Sequence, residues 1–267
     1  MTKFKIACAM RLRACGFRIE EGAWRVEHDN RTARDNFVFL AAVAHSGFYT
    51  SLRHLLLHRR VDDSVVVCLL EVCATVNALP ALTLLSLCNG TDDVRHISQT
   101  GVYLLTTLPN TLPKLETLVL SGHIFKDAVA VELAFCTETL PKLKIIDLAH
   151  NGIGNVGIEA LAALEQVHEL RLSHTRVSSL PPCKYLRCLD VRHCFLCDVG
   201  FGALATHAKD CSHLVELYAT HNRYTRAACT LIVRAPFVRL RFVGLDHADV
   251  GLRSECTTHG MVLMEHH

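Results

Sequence analysis

The chain has 267 residues, of which 50% are apolar and 20% are charged. This composition predicts a folded chain and excludes the disordered classes, which are poor in apolar residues. The net charge is only +2 with the histidines neutral, so it gives no electrostatic reason to expect nucleic acid or an anionic membrane as partner. The longest aliphatic run, residues 65–70, is far shorter than the roughly 20 residues that span a bilayer, and we predict no membrane span.

Cysteine usage and the N-terminus bear on the compartment. The 13 cysteines are scattered along the chain and do not form a compact framework, which is typical of a reduced, intracellular protein. The first residues carry Lys3, Lys5, Arg11, Arg13 and Arg18 before any acidic side chain. We therefore expect a cytoplasmic or cytoskeletal location, with mitochondrial targeting as the alternative that a basic N-terminus leaves open.

An internal repeat dominates the middle of the chain. Residues 111–115 and 139–143 have the same sequence, Thr-Leu-Pro-Lys-Leu, and each opens a run of the form LxxLxL. The frame recurs eight times, with its first apolar position at Leu52, Leu82, Leu115, Leu143, Val167, Leu186, Leu214 and Leu240. A short strand with one apolar edge cannot bury itself alone, so such units must stack on one another to form a core.

This frame resembles the leucine-rich-repeat family, and its longer steps resemble the ribonuclease-inhibitor-like class, which includes the RanGAP-type proteins. The resemblance implies an α/β fold, a solenoid of about eight repeats with a curved parallel sheet and helices on the convex side. We expect an N-terminal cap over residues 1–50, repeats over 51–248 and a C-terminal tail over 249–267. The family's Asn or Cys ladder position is occupied unevenly, so we expect the ladder to be incomplete.

Polar residues mark the predicted helix starts. Asp63, Asp127, Asn155 and Asp198 each precede an apolar run, and side chains of this type accept hydrogen bonds from the first N–H groups of a helix. Pro181-Pro182 excludes a regular helix in the repeat that begins at Val167.

The strand alternation predicts which side chains face a partner. We expect the contact centre on the concave face, at Asp147, Glu169, Arg171, Asp190, Arg192, Glu216 and Tyr218. Just beyond this stripe, five successive repeats carry a histidine, at His150, His174, His193, His221 and His247. This row is either a partner-binding edge that charges below about pH 6.5, an opportunistic metal site, or simply a residue common in this slot of the family.

Two motifs suggest other chemistry. Residues 152–157 match GxGxxG, but they lie in register with the repeat, and the acid expected about 20 residues later in a dinucleotide site is absent. Cys194 and Cys197 form a CxxC whose surrounding ligand spacing matches no standard zinc site. We therefore predict no cofactor, no metal and no catalytic residue.

The leading functional hypothesis is a non-enzymatic protein-binding scaffold or subunit of a large intracellular assembly. Alternatives are a regulator of GTPase-activator or inhibitor type, implied by the same resemblance, and an RNA-associated subunit of a ribonucleoprotein or mitochondrial complex. A loose group of arginines supports the RNA alternative, at positions Arg223, Arg226, Arg234, Arg239, Arg241 and Arg253. An enzyme or metal protein built on the abundant histidines and cysteines is a further hypothesis.

Overall fold

The structure is a computed structural model that describes residues 18–20, 25–29, 52–76, 79–90, 93–107, 112–247 and 249–264. The described residues form two compact units. The first comprises those up to His123 together with Phe135–Leu143, and the second comprises Ile124–Ala134 together with those from Lys144 onward. Most of the predicted N-terminal cap lies outside the described residues.

Parallel strands alternate with helices in the first unit. It contains the strands β1 (Arg18–Glu20), β2 (Arg25–Asp29), β3 (His54–His58), β4 (Leu84–Cys88) and β5 (Thr117–Val119), and the helices α1 (Asp63–Val76) and α2 (Gln99–Thr107). β1 and β2 are antiparallel, whereas β2, β3, β4 and β5 pair in parallel in that order. Each helix follows a strand, and α1 packs against α2.

The second unit repeats the same pattern more regularly. Its strands are β6 (Ile145–Asp147), β7 (Glu169–Arg171), β8 (Cys188–Asp190), β9 (Glu216–Tyr218), β10 (Phe242–Gly244) and β11 (Val262–Leu263). Its helices are α3 (Asp127–Leu133), α4 (Asn155–Ala162), α5 (Asp198–Thr206), α6 (Arg226–Arg234) and α7 (Val250–Thr258). The six strands pair in parallel in chain order. Strands β3 to β10 match the eight predicted frames one by one.

The register explains the core of the second unit. The middle residues of successive strands lie side by side and are fully buried, at Ile146, Leu170, Leu189, Leu217 and Val243. Their neighbours within β6, β7 and β9 remain partly exposed. Each buried aliphatic side chain contributes about 1.5–3 kcal/mol, and a column of them is available only to stacked repeats.

Three of the polar residues predicted to cap helices do not cap them. Asp127, Asn155 and Asp198 are the first residues of α3, α4 and α5, and no side chain caps these helices. Their side chains accept hydrogen bonds from the next repeat instead. Asp127 accepts from Gly154 N at 2.5 Å, and Asp198 accepts from Thr225 N at 2.6 Å. These polar residues therefore join neighbouring repeats, which spacing along a single helix could not reveal.

The ladder is more complete than the sequence indicated. Asn151 and Asn222 bond backbone groups as expected, and Asn222 donates to Val191 O and Ala219 O at 2.8 Å each. In the first unit Asn89 takes this role one position before Gly90, the residue that the frame places in the slot, and it accepts from Val61 N at 2.8 Å. Asn89 comes two residues after the last apolar position of its frame, Leu87, whereas Asn151 and Asn222 come three residues after theirs.

The proline-containing repeat has no helix between β7 and β8, as predicted. This irregular segment lies close against α5 at Gly200. A Cβ atom at Gly200 would come within 2.2 Å of Ser178 O. Only glycine allows two backbones to approach so closely.

The predicted C-terminal tail contains regular structure. Helix α7 and strand β11 fall within residues 249–267, and β11 pairs in parallel with β10, Val243 opposite Leu263. Met261 and Leu263 are buried. Strand β11 thus adds to the parallel sheet of the second unit, and these two apolar side chains add to its core.

Candidate partner-binding groove and histidine row

A concave groove of about 810 Å³ lies on the exposed face of strands β6 to β9 in the second unit. All seven residues of the predicted contact centre line it: Asp147, Glu169, Arg171, Asp190, Arg192, Glu216 and Tyr218. The strand alternation was therefore sufficient to find these side chains. The sequence did not predict which of these side chains form hydrogen bonds and ion pairs with one another.

Arg171 is held by carboxylates on two strands. Its Nε and Nη2 lie 2.7 Å and 2.5 Å from Glu169 Oε1, and its Nη1 lies 3.8 Å from Asp147 Oδ2. Burial alone would lower the pKa of Arg171, but the bonded Glu169 carboxylate outweighs it and the pKa is raised. Burial raises the pKa of Asp147 above its usual range.

The next two strands repeat this arrangement. Arg192 binds Asp190 through two parallel hydrogen bonds, Nε to Oδ1 at 2.9 Å and Nη2 to Oδ2 at 2.7 Å, which raises the pKa of the guanidinium. Tyr218 donates to Glu216 Oε2 at 2.9 Å, and Arg192 lies 5.7 Å from the centre of its ring. Burial, followed by the Glu216 bond, raises the pKa of Tyr218 to about 12. The groove therefore presents fixed, internally paired polar groups.

Three basic residues at the start of the strands were missed. Lys144, His168 and Arg187 line the groove at its edge. Each follows directly after a first apolar position of the frame, at Leu143, Val167 and Leu186. A basic residue at the same position in three successive repeats could have indicated a shared surface. The alternation of side chains along a strand, however, assigns this position to the buried face of the sheet and not to the groove.

Cys188 is a cysteine that lines the groove, and a cysteine thiol can act as a nucleophile. Its surroundings, however, make this thiol unreactive. Burial, and then the carboxylates of Glu169, Glu216 and Asp190, raise the pKa of the thiol to about 12. The thiolate is the reactive form of cysteine, so this thiol is a poor nucleophile near neutral pH.

Four of the five predicted histidines form a stack. The ring centroids of His150, His174, His193 and His221 are 4.2, 4.2 and 4.1 Å apart in succession, with the planes within 12° of parallel. The backbone N–H groups of the first three donate to a carbonyl of the next repeat, at Ser173, Arg192 and Thr220. This hydrogen-bonded register sets the spacing of the rings.

The chain turns sharply at every histidine of the row. All five have a positive φ, between 52° and 59°. Side chains other than glycine adopt this left-handed conformation at a cost, and histidine, asparagine and aspartate tolerate it better than most. None of these five histidines lines the groove of strands β6 to β9.

His247, the fifth histidine, has different neighbours. Its Nε2 is 3.2 Å from Tyr224 O, and its ring meets the Tyr224 ring edge to face at 6.5 Å. In the preceding repeat, His221 N donates to the side chain of Asp246, at 3.0 Å from Oδ1. A side-chain contact with Asp246 is thus present at the position where the row meets His247.

The two motifs that suggested cofactors have structural roles. Gly157 of the GxGxxG sequence packs against the preceding repeat, where a Cβ would come within 2.7 Å of Asp127 Oδ1. Cys194 of the CxxC sequence is buried in the ladder and bonds Leu172 O at 3.1 Å. Among the described residues, no group of three or more histidine, cysteine or carboxylate side chains is arranged to hold a metal ion.

Comparisons with known proteins agree with this geometry. The sequence model of the Leucine Rich repeat family matches residues 139–162, the segment that carries β6 and α4. No curated protein sequence matches the chain.

Solved structures with a similar backbone have low sequence identity. Human 5T4, titled Wnt-activated inhibitory factor 1 or trophoblast glycoprotein, is 15% identical with a TM-score of 0.55, over 82% of this chain and 86% of that one. An internalin, InlF of Listeria monocytogenes, is 14% identical with a TM-score of 0.46, over 83% of this chain. This chain spans 59% of that internalin's length.

Repeat frame, strand register and family match together define a leucine-rich-repeat protein. The predicted fold class, an α/β leucine-rich-repeat solenoid, is confirmed, while the ribonuclease-inhibitor-like subclass stays a prediction. Proteins with this fold commonly bind other proteins. None of the described helices is long and apolar enough to cross a membrane.

Proposed function

We propose that this protein is a non-enzymatic scaffold, or a subunit of a larger intracellular assembly, that binds a partner protein through the groove of strands β6 to β9. The observation that carries the proposal is the convergence of the Glu169–Arg171, Asp190–Arg192 and Glu216–Tyr218 pairs in one concave surface. Arginine and tyrosine are the side chains that most often dominate the free energy of protein interfaces.

The internal pairing of the groove supports binding over catalysis. Side chains that are already oriented by their neighbours lose less conformational entropy when a partner docks. Arg171 and Arg192 are both fixed in this way, and Tyr218 is fixed through its hydroxyl group. The raised pKa of Cys188 also speaks against a thiol nucleophile in this groove.

A role as GTPase activator is less favoured. Such proteins supply an exposed side chain, for example an arginine or an asparagine, that reaches the nucleotide. Both arginines of the groove are instead bound to carboxylates of their own repeats, Arg171 to Glu169 and Arg192 to Asp190.

An RNA-binding role for the C-terminal arginines is also less favoured. Arg226 lies 3.3 Å from Asp249 and 3.7 Å from Glu255, and Arg234 lies 3.4 Å from Glu255. These two carboxylates neutralise part of the positive charge that phosphates would need.

The free thiols support a reducing compartment. All eleven cysteines within the described residues are unpaired, and eight of them are buried. Disulfides form in oxidising compartments and are rare in the cytosol. We therefore propose a cytoplasmic or cytoskeletal location, with a mitochondrial one as the alternative.

The test is affinity purification of the tagged full-length chain from its own cells, with partners quantified by mass spectrometry. The groove variants are the double variant Glu169→Ala/Arg171→Ala and the single variant Tyr218→Ala. The matched control is Glu159→Ala/Lys209→Ala, which also removes one charge of each sign but from exposed positions outside the groove. Circular dichroism of each variant establishes that it is folded.

We expect one or more partners to bind the parent and the control and to be lost from both groove variants. A partner that binds all variants equally would contradict the groove assignment. Recovery of the folded chain as a solitary monomer would contradict the scaffold function altogether.

A further inference from the structure

The stacked histidines leave only part of each ring available to a partner. Rings about 4.2 Å apart cover each other's faces, so His174 and His193 expose ring edges, where the nitrogen atoms lie. All four histidines of the stack are exposed residues. The stack therefore offers a row of hydrogen-bonding edges, and not a set of open aromatic surfaces.

A second row of residues follows the histidines in register. Two positions after His150, His174, His193 and His221 lie Gly152, Arg176, Phe195 and Arg223. The backbone N–H groups of this second row also donate to carbonyls of the preceding repeat, at Phe125, Ile153, Val177 and Leu196. Hydrogen bonds to the next repeat thus hold the backbone of the first row, and hydrogen bonds to the preceding repeat hold that of the second. We call these eight residues the histidine face.

The eight residues of the histidine face carry charge of one sign, although Asp190 and Asp246 lie within electrostatic range of the inner histidines. Arg176 and Arg223 are exposed and permanently positive, the four imidazoles can become positive, and neither row contains a carboxylate. The Arg223 guanidinium lies 4.5 Å from the centre of the Phe195 ring. This contact stacks the arginine on the only aromatic carbon ring of the face.

We propose that the histidine face binds a carboxylate-rich segment of a partner protein, and that the binding tightens as its imidazoles take up protons. This surface consists of other residues than the groove of β6 to β9. The proposal therefore goes beyond the groove function and can hold or fail independently of it.

The geometry favours carboxylates over single-stranded nucleic acid. Proteins that bind single strands offer open aromatic faces on which bases stack. Here the imidazole faces are covered by one another, and Phe195 is covered by Arg223 on one side. What remains exposed are N–H groups and guanidinium edges, which match carboxylate oxygens.

The groups around the inner histidines determine the proton coupling. Burial, then His150 and His193, lower the pKa of His174, while Asp190 opposes this effect and Arg192 adds to it. Burial, then His221 and Arg192, lower the pKa of His193, while Asp190 and Asp246 oppose it. The inner imidazoles are therefore mostly neutral near pH 7. A bound carboxylate favours their charged form, so binding must take up protons and strengthen as the pH falls.

The test uses a labelled twelve-residue glutamate peptide as probe and a Gly-Ser peptide of equal length as the uncharged control. Affinity for the full chain is measured by fluorescence anisotropy at pH 7.5 and pH 5.5 in low salt. An isolated glutamate has a pKa of about 4.3, and its neighbours in the peptide raise this value, so the probe itself loses some negative charge at pH 5.5. That loss weakens binding at the lower pH and so acts against the expected result. We expect the glutamate peptide to bind about tenfold more tightly at pH 5.5, and the control peptide not to bind.

The decisive variant changes His150, His174, His193 and His221 to asparagine. Asparagine tolerates the left-handed backbone at these positions, so the variant should fold. We expect it to lose the pH dependence of binding, whereas His207→Asn/His259→Asn, which removes two histidines elsewhere, should keep it.

A further variant, Arg176→Gln/Arg223→Gln, should bind the probe more weakly at both pH values. Equal affinity at both pH values for the parent, or an unchanged pH dependence in the four-histidine variant, would overturn the proposal. Tighter binding of a uridine oligonucleotide of equal charge would overturn the choice of an acidic protein segment.

Discussion

Arg192 and Asp190 form a two-bond ion pair although they belong to the same short stretch of chain. The guanidinium returns over its own strand to meet both carboxylate oxygens, at 2.9 Å and 2.7 Å. Asp190 also accepts from Arg192 N at 3.1 Å, and its side chain is only 9% exposed. The pair is therefore a fixed part of the groove floor.

Removing the guanidinium should destabilise the protein through the carboxylate that remains. We expect Arg192→Ala to lower the free energy of unfolding by about 1–2 kcal/mol, because Asp190 is left nearly buried without its charged partner. Urea denaturation measures the change. The exposed Lys209→Ala serves as control and should cost less than about 0.5 kcal/mol. Equal values for the two variants would show that the pair contributes no more than an exposed side chain.

Asn222 joins three backbone groups in two repeats. It accepts from Leu196 N at 3.0 Å and donates to Val191 O and Ala219 O. We expect Asn222→Ala to cost about 2–4 kcal/mol in the free energy of unfolding, since several partly buried polar groups lose their partner. Asn222→Cys should cost less, because Cys194 occupies the same slot one repeat earlier and bonds Leu172 O. A cysteine variant as unstable as the alanine variant would contradict this interpretation of the ladder.

The left-handed backbone at His174, with a φ of 56°, can be tested by substitution. We expect His174→Ala to lower the free energy of unfolding by about 1–2 kcal/mol, because alanine is strained in this conformation. His174→Gly should be more stable than the alanine variant by about 1 kcal/mol, since both lack the ring and only glycine is free of strain. Thermal unfolding followed by circular dichroism compares the two. The reverse order would mean that the backbone changes its conformation in the variants.

His123 should make stability depend on pH. Burial lowers its pKa from 6.5 to about 4, and Ile97 N and Leu87 O occupy its two ring nitrogens. The folded state therefore binds fewer protons than the unfolded state between these values, so stability is full above about pH 6.5 and falls as the pH drops toward 4. The loss should reach at most roughly 3 kcal/mol.

The matched variant for this test is His123→Asn, because asparagine fills the same ladder slot at Asn151 and Asn222. We expect its free energy of unfolding, measured in urea from pH 7 to pH 4, to fall less steeply than that of the parent. Parallel curves would show that His123 does not titrate as its burial implies.

The repeat frame predicted much of the fold because its information is local. The apolar positions Leu143, Ile146 and Leu148 recur in the same order in every frame, and a short strand with this pattern has only one face that it can bury. The same alternation located the groove residues, from Asp147 to Tyr218. The positions of the histidines were likewise visible in the sequence.

Contacts between repeats were less predictable. Asp198 has the residue type and position of a helix cap, yet it bonds Thr225 in the next repeat. Residues 249–267 were predicted as a tail because they follow the last of the eight frames, yet Leu263 lies opposite Val243 and is buried. In both cases the deciding partner is more than 15 residues away along the chain.

The sequence by itself thus determined the stacking of repeats, the buried column and the side of each strand that faces outward, since these depend on apolar spacing within single repeats. Only the tertiary structure decided which charges neutralise each other in the groove and that four histidines stack while His247 turns to Tyr224. The physical reason is that hydrogen bonds and ring contacts depend on angles and on distances of a few tenths of an ångström. Those are set when neighbouring repeats pack together.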